Sequence, residues 1–234
     1  NLHESQDESS RKTGEPLVLT GEKVLVTGAA GRVAFPVVRE LVRTNEVFGL
    51  ARFTNLADRR RLEALGVTCF RNDLGSDTLM DLPDDFTYVL HAASLVSPAT
   101  EKDWDYTVET NAIATGRLMK HCRKAKGFLH CSTGSVYQGQ GRPVKEEDPL
   151  AKGGIPRPAY AFSKIAAESI AQFAACQWNL PTTIGRLFGA YGPDRNWLAR
   201  RVDMIIKGEK IPLPPDQLIY YNPIYEDDSV ELAI

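Results

Sequence analysis

The short run Lys23–Thr27 (KVLVT) ends on Gly28, and Gly31 follows where a helical pattern opens. No other stretch narrows the possible folds as far. An apolar, β-branched run without polar alternation reads as a strand buried on both faces, which belongs in a parallel sheet. Val33, Val37, Val38 and Leu41 then recur at helical spacing over residues 32–42. The same alternation continues. Residues 46–51, 67–71, 87–92, 127–132 and 181–187 read as strands, and residues 56–65, 105–124 and 159–178 as helices. Strands separated by helices require right-handed crossovers. The expected fold class is therefore α/β, a Rossmann-type doubly wound parallel sheet with helices on both faces.

Composition excludes several alternatives. Of 234 residues, 43% are apolar and 25% charged, and 28 basic against 30 acidic residues give a net charge of −2. A disordered chain is poorer in apolar residues and more strongly charged. No apolar run reaches the ~18 residues of a membrane span. A nearly neutral chain gives no electrostatic reason to expect nucleic acid or a membrane surface as partner. Cys69, Cys122, Cys131 and Cys176 lack the close spacing of a metal or redox motif and read as reduced thiols, so a cytoplasmic setting and no metal are expected. The first residues lack the basic-then-apolar pattern of a secretory leader.

Four motifs carry chemistry. In Thr27-Gly28-Ala29-Ala30-Gly31-Arg32-Val33-Ala34, a tight strand-to-helix turn lets backbone approach a pyrophosphate at a helix N-terminus. The second strand ends Leu50-Ala51-Arg52, without the acid that would bond a ribose 2′-hydroxyl. Arg52 could pair with a 2′-phosphate, which favours NADP; as a solvated surface arginine it leaves NAD as the alternative. Tyr160 and Lys164 stand four apart and share a helix face, so a nearby ammonium can favour the phenolate and suit the tyrosine to acid–base work. An ordinary surface pair is the plain alternative. Ser132-Thr133-Gly134-Ser135 lies at the C-terminal end of a strand, where open α/β sheets bind ligands, although a turn hydroxyl reads equally from the residues alone.

Taken in order, the glycine turn, Asp73-Leu74, His91-Ala92-Ala93, Asn111, Ser132-Thr133, Tyr160-x-x-x-Lys164 and Arg186…Tyr191-Gly192-Pro193 resemble the extended short-chain dehydrogenase/reductase superfamily, in its NAD-dependent epimerase/dehydratase branch. The resemblance runs from about Glu22 to the end. It implies an enzyme, an NAD(P)-dependent oxidoreductase or isomerase that moves hydride at a secondary alcohol or ketone carbon of a small sugar or sugar-like substrate. Gly28, Ala30, Gly31, Arg32 and Val33 would surround the pyrophosphate. Asp73 and Leu74 would flank the adenine, and His91, Ala92, Ala93 and Ser94 would line the cofactor cleft. Thr133, Tyr160, Lys164 and Asn111 would form the catalytic set: Thr133 holding the substrate oxygen, Tyr160 as acid and base, Lys164 bonding the nicotinamide ribose and tuning Tyr160, Asn111 behind them. Ser94, Thr133, Ser135, Gly189 and Arg195 would face the substrate. Two long helices, residues 105–124 and 159–178, would pair two copies as a homodimer.

The resemblance also orders the chain: a flexible extension over residues 1–21, the NAD(P)-binding unit over 22–188 and a partial substrate lobe over 189–234. Family members continue beyond Asp227-Asp228, so that lobe is expected to be incomplete. Two departures narrow the chemistry. Sugar 4,6-dehydratases of the family place Asp-Glu after the catalytic threonine, where this chain has Gly134-Ser135. Nucleotide-sugar enzymes place Asn and Arg where Gly189 and Tyr221 stand. The first weighs against a dehydratase and the second against a nucleotide sugar. A nucleotide-sugar epimerase and a non-catalytic dinucleotide-binding module remain the alternatives.

Overall fold

A computed structural model describes residues 19–96, 99–153, 155, 157–192, 197–211 and 223–234. Strands β1 (Lys23–Thr27), β2 (Glu46–Ala51), β3 (Thr68–Arg71), β4 (Tyr88–His91), β5 (Gly127–Thr133) and β6 (Thr182–Leu187) form one sheet in the order β3-β2-β1-β4-β5-β6. Every pairing is parallel. Successive strands step outward from β1 to β3, then cross over to β4 on its other side. That reversal opens a crevice at the C-terminal ends of β1 and β4.

Residues alternate between two cores because the side-chain period of a strand is two. Val24 and Val26 of β1 pack with Val37, Val38 and Leu62 on one face. Leu25 packs on the other with Phe48, Leu118, Met119 and Phe128. Helices α1 (Ala34–Leu41) and α2 (Leu56–Glu63) supply the first layer. Asn55 caps α2 by accepting the Ala57 N–H at 3.0 Å.

The second layer departs from the expected single helix over 105–124. It consists of α3 (Trp104–Val108), a π-helical turn (Glu109–Ile113) and α4 (Ala114–His121). Asp103 starts it by accepting the Tyr106 N–H at 2.9 Å. The wide turn is centred on Asn111, and such turns gather at functional sites. Beside it lies α5 (Pro158–Trp178), begun by a proline, whose missing N–H is harmless there. Its buried stripe runs through Ala161, Lys164, Ala167, Glu168, Ala171 and Ala174. The alanines admit close packing, and the two charged residues need partners inside the protein.

The remaining residues add β7 (Gly189–Tyr191), α6 (Trp197–Ile206), β8 (Pro223–Tyr225) and α7 (Glu226–Ala233), with β7 and β8 paired in parallel. Helix α7 returns to α1: Val230 and Ala233 join the β1 core, and Arg39 approaches Glu226 and Asp227 at 4.0 and 3.9 Å. Among the described residues no helix is long and apolar enough to cross a membrane.

Candidate active site

The crevice holds a cleft of about 310 Å³. Gly28, Ala30 and Gly31 line it after β1, Arg52 after β2, Asp73 and Leu74 after β3, and Ala92, Ala93 and Ser94 after β4. Gly28 has φ of 65°, a backbone that disfavours any side chain. Its N–H donates to the Leu50 carbonyl at 2.7 Å, which ties the turn to β2. A Cβ at Gly28 would stand 2.9 Å from the Ala93 backbone, so the turn packs directly on the exit of β4. Arg32 is exposed beside this turn, and Val33 is the cap residue just before α1. Asp58, in the first turn of α2, also faces the cleft. Its sequence signal, an acid in a short charged helix, is too common to have marked it.

The rim at β2 is cross-linked. Arg52 donates to the Tyr106 hydroxyl at 3.3 Å, and that hydroxyl donates to the Asp73 carboxylate, 2.8 Å from its Oδ2. Tyr106 thus joins the two positions expected at the adenosine end, a role that an unremarkable helix tyrosine did not reveal in sequence.

His91 does not open into the cleft; it is buried beneath it. Thr27 Oγ1 accepts the Ala93 N–H at 3.1 Å and lies 2.8 Å from His91 Nδ1, which in a neutral ring protonated at Nε2 accepts the threonine proton. His91 Nε2–H then donates to Thr115 Oγ1 at 3.0 Å, and Thr115 donates to the Asn111 carbonyl at 3.1 Å. Every polar atom in this chain is satisfied with a neutral ring. Burial, followed by the charge of Lys164, holds His91 down to about 3. Its contribution is therefore to brace the strand ends under the cleft.

Asn111 acts similarly. Its Oδ1 accepts the Leu95 N–H at 2.7 Å and the Ser94 hydroxyl at 3.2 Å. Its Nδ2 donates to the Leu95 carbonyl at 2.9 Å and to Ser163 Oγ at 3.0 Å, and Ser163 donates to the Tyr160 carbonyl at 2.8 Å. With both ends of the amide occupied, Asn111 positions the β4 loop against the helix that carries Tyr160.

Thr133, at the end of β5, accepts the Ser135 N–H at 3.2 Å. Burial pushes Tyr160 above the usual tyrosine value, and the neighbouring Thr133 hydroxyl acts in the opposite direction. Lys164 is only 2% exposed. Its ammonium donates to the Cys131 carbonyl at 2.7 Å and to His130 Nε2 at 3.3 Å. The lysine is drawn to acceptors on β5, and burial decides the tyrosine's proton affinity. Desolvation also brings Lys164 down to about 8, with Cys131 and Glu168 opposing it.

Ser132 serves the frame. Its hydroxyl donates to Glu168, which also takes Arg186 Nη2 at 2.7 Å and Nε at 3.0 Å. Arg186 Nη1 reaches the Tyr137 hydroxyl at 2.8 Å. The Phe188 ring lies over Gly134, where a Cβ would come within 2.4 Å of it. Ser135 is exposed in a short 3-10 turn, and Gly189 pairs with Pro223 in the small sheet. Arg195 and Tyr221 lie outside the described residues.

Comparison with known proteins adds to this geometry. The family model described as the NAD dependent epimerase/dehydratase family matches residues 24–233. UDP-glucuronate 4-epimerase 2 of Arabidopsis thaliana is 33% identical over 192 residues, which is 74% of this chain and 43% of that protein. A trifunctional UDP-glucose 4,6-dehydratase/UDP-4-keto-6-deoxy-D-glucose 3,5-epimerase/UDP-4-keto-L-rhamnose-reductase of the same plant is 22% identical over 90% of this chain and 34% of its own length. The chain thus spans less than half the length of these curated relatives. The crystal structure of UDP-glucuronic acid 4-epimerase from Bacillus cereus in complex with NAD is similar with a TM-score of 0.76 and 25% identity, over 89% of this chain and 71% of that one.

Proposed function

This chain belongs to the NAD-dependent epimerase/dehydratase family, and from that membership we propose that it is an enzyme that uses a nicotinamide dinucleotide to move hydride at a secondary alcohol or ketone carbon of a sugar-like substrate. One observation carries the reading. The Thr133 hydroxyl stands near enough to the Tyr160 phenol to act on it at the C-terminal edge of the sheet, with Lys164 one helical turn on and the glycine-lined cleft alongside. A non-catalytic binding module has no chemical need for that grouping.

The cleft suits a dinucleotide because the Gly28 turn leaves no room for a Cβ and presents bare backbone. Gly28, Ala30 and Gly31 would hold the pyrophosphate, with Asp73 and Leu74 at the adenine. When bound, the dinucleotide supplies the hydride donor or acceptor. Thr133 holds the substrate oxygen, and Tyr160 gives or takes the proton at that oxygen. Its raised proton affinity keeps the phenol protonated and ready to donate. Lys164 serves the nicotinamide side of the site. Net reduction and transient oxidation during epimerisation need the same groups.

At the adenosine end we assign a site that accepts NADP as well as NAD. Arg52 stands at the rim, and the relative's structure contains NAD. Arg52→Ala is expected to weaken NADPH binding by about tenfold, the loss of one charge-assisted bond, and to leave NADH unchanged. Fluorescence titration with both cofactors checks this. A 4,6-dehydratase is disfavoured because the Phe188 ring fills the space that an acid at position 134 would need. A UDP-sugar epimerase is the second reading, favoured by the 33% identical relative. We also propose a homodimer through the second helical layer, where Phe173 is 67% exposed and Ile113 41% exposed.

Thermal-shift measurements with NADH, NADPH and UDP-glucuronic acid test the assignment, because a ligand of the folded state raises stability. Stabilisation by a dinucleotide is expected, and none by any dinucleotide would defeat it. Tyr160→Phe should bind the dinucleotide normally and lose turnover by at least about 100-fold. Full turnover in that variant would remove Tyr160 from the chemistry.

A further inference from the structure

We infer that His130 is a positioning residue for Lys164, holding its ammonium against β5 together with the Cys131 carbonyl so that one of its three donors is left for the cleft. The inference rests on the reading of Lys164 given above and extends it to a residue behind the site.

Both side chains are sealed in the protein: His130 is 0% exposed and Lys164 2%. Nζ lies 3.3 Å from His130 Nε2 and 2.7 Å from the Cys131 carbonyl oxygen. An ammonium can only donate, so Nε2 carries the lone pair and the ring proton sits on Nδ1. That Nδ1 has no partner among the described residues. The ring therefore makes a single polar contact, with Lys164. Buried histidines are ordinarily satisfied at both nitrogens, as His91 is, and an apolar ring would fill the same space without stranding an N–H. The placement of His130 makes sense through Lys164. His91, whose ring is 5.2 Å away, has both nitrogens engaged elsewhere and cannot substitute.

The titratable groups around the ammonium are His91 on β4, His130 and Cys131 on β5, and Glu168 on α5, with Arg186 of β6 behind Glu168 and Tyr160 one turn earlier on α5. Both histidines stay neutral at physiological pH because burial drives them down. Glu168 and Cys131 favour the charged lysine, and desolvation disfavours it. In that balance His130 contributes an acceptor. Removing it leaves the desolvation unopposed at that point, so Lys164 should lose its proton at lower pH.

The test uses the full chain without cofactor, labelled with ¹³Cε-lysine and ¹⁵N-histidine, with Lys164→Arg to assign the signal. In the unaltered protein Lys164 should titrate near 8, and the His130 spectrum below that pH should show Nε2 unprotonated. His130→Phe should lower the Lys164 midpoint by about one pH unit, a tenfold change in its ionisation constant. His130→Gln, which keeps an acceptor, should hold it near the original value. An unmoved midpoint in the Phe variant, or a protonated Nε2 in the unaltered protein, overturns the inference. The spectrum of the unaltered protein decides the matter even if the Phe variant fails to fold. Separately, NADH affinity should weaken as pH rises through each variant's lysine midpoint. Affinity that stays flat while Lys164 titrates would instead overturn the placement of Lys164 beside the nicotinamide.

Discussion

At the scale of single residues, the positions that matter most are those where backbone or amide geometry leaves no alternative. Gly28→Ala places a Cβ 2.9 Å from the Ala93 backbone at a φ of 65°. It should cost on the order of 1–3 kcal/mol and remove most dinucleotide stabilisation, both readable in one thermal-shift series. Asn111→Leu deletes four hydrogen bonds and strands the Leu95 N–H, while the Leu95 carbonyl keeps only the Ser94 hydroxyl. A loss of about 2–3 kcal/mol is expected in urea unfolding, with reduced turnover because Tyr160 loses its tether. The glycine turn was readable in sequence because only a chain that turns sharply between a strand and a helix needs glycine there. The partners of Lys164 were not. His130 and Cys131 are over thirty residues away, and nothing in a four-residue spacing says whether a lysine faces its neighbour on the helix or the strand beneath.

At the scale of elements, the six strands of the main sheet were legible to within about one residue because each is a compact apolar, β-branched run, whereas the three-residue strands β7 and β8 were too short to leave a pattern. The helix over 105–124 was legible as helix but not as three pieces, since apolar spacing survives one extra residue. The contact between α5 and β6 was also hidden. It runs through Glu168, 3% exposed at its side chain, and Arg186, 21% exposed. Arg186→Met leaves Glu168 buried without its counter-charge. Breaking a pair in this way costs about 3 kcal/mol or more, whereas replacing both partners by apolar residues costs far less. The double variant Glu168→Leu/Arg186→Met should therefore unfold at higher urea than Arg186→Met alone, and the opposite order would show that the pair does not fasten α5.

At the scale of the whole molecule, the two buried histidines set how the fold responds to acid. His91 has an ordinary value of 6.5 when free and about 3 in the folded chain. Between those values the unfolded chain binds a proton that the folded chain refuses, so stability is full above pH 6.5 and falls as pH drops through that window. At pH 5 His91 alone removes about 2 kcal/mol, and His130, shifted in the same direction, adds to it. Urea midpoints at pH 7.5 and 5 should differ accordingly, and equal midpoints would contradict the buried neutral rings. The parallel sheet and its crevice were legible because the alternation of elements dictates them. The docking of α7 on α1 was not, because its anchors, Arg39 against Glu226 and Asp227, stand far apart in the chain and no local pattern pairs them.

The wide turn at Glu109–Ile113 has a consequence of phase. A π turn holds about one residue more than an α turn, and each residue advances a helix by about 100°. Deleting any one residue there would give a more regular helix and a worse protein. Everything beyond it would rotate by that angle, swinging Thr115 off His91 and turning Leu118 and Met119 out of the core. The site is thus clocked to the core by a single surplus residue. A deletion that raises helical regularity while abolishing both packing and dinucleotide binding would be its signature.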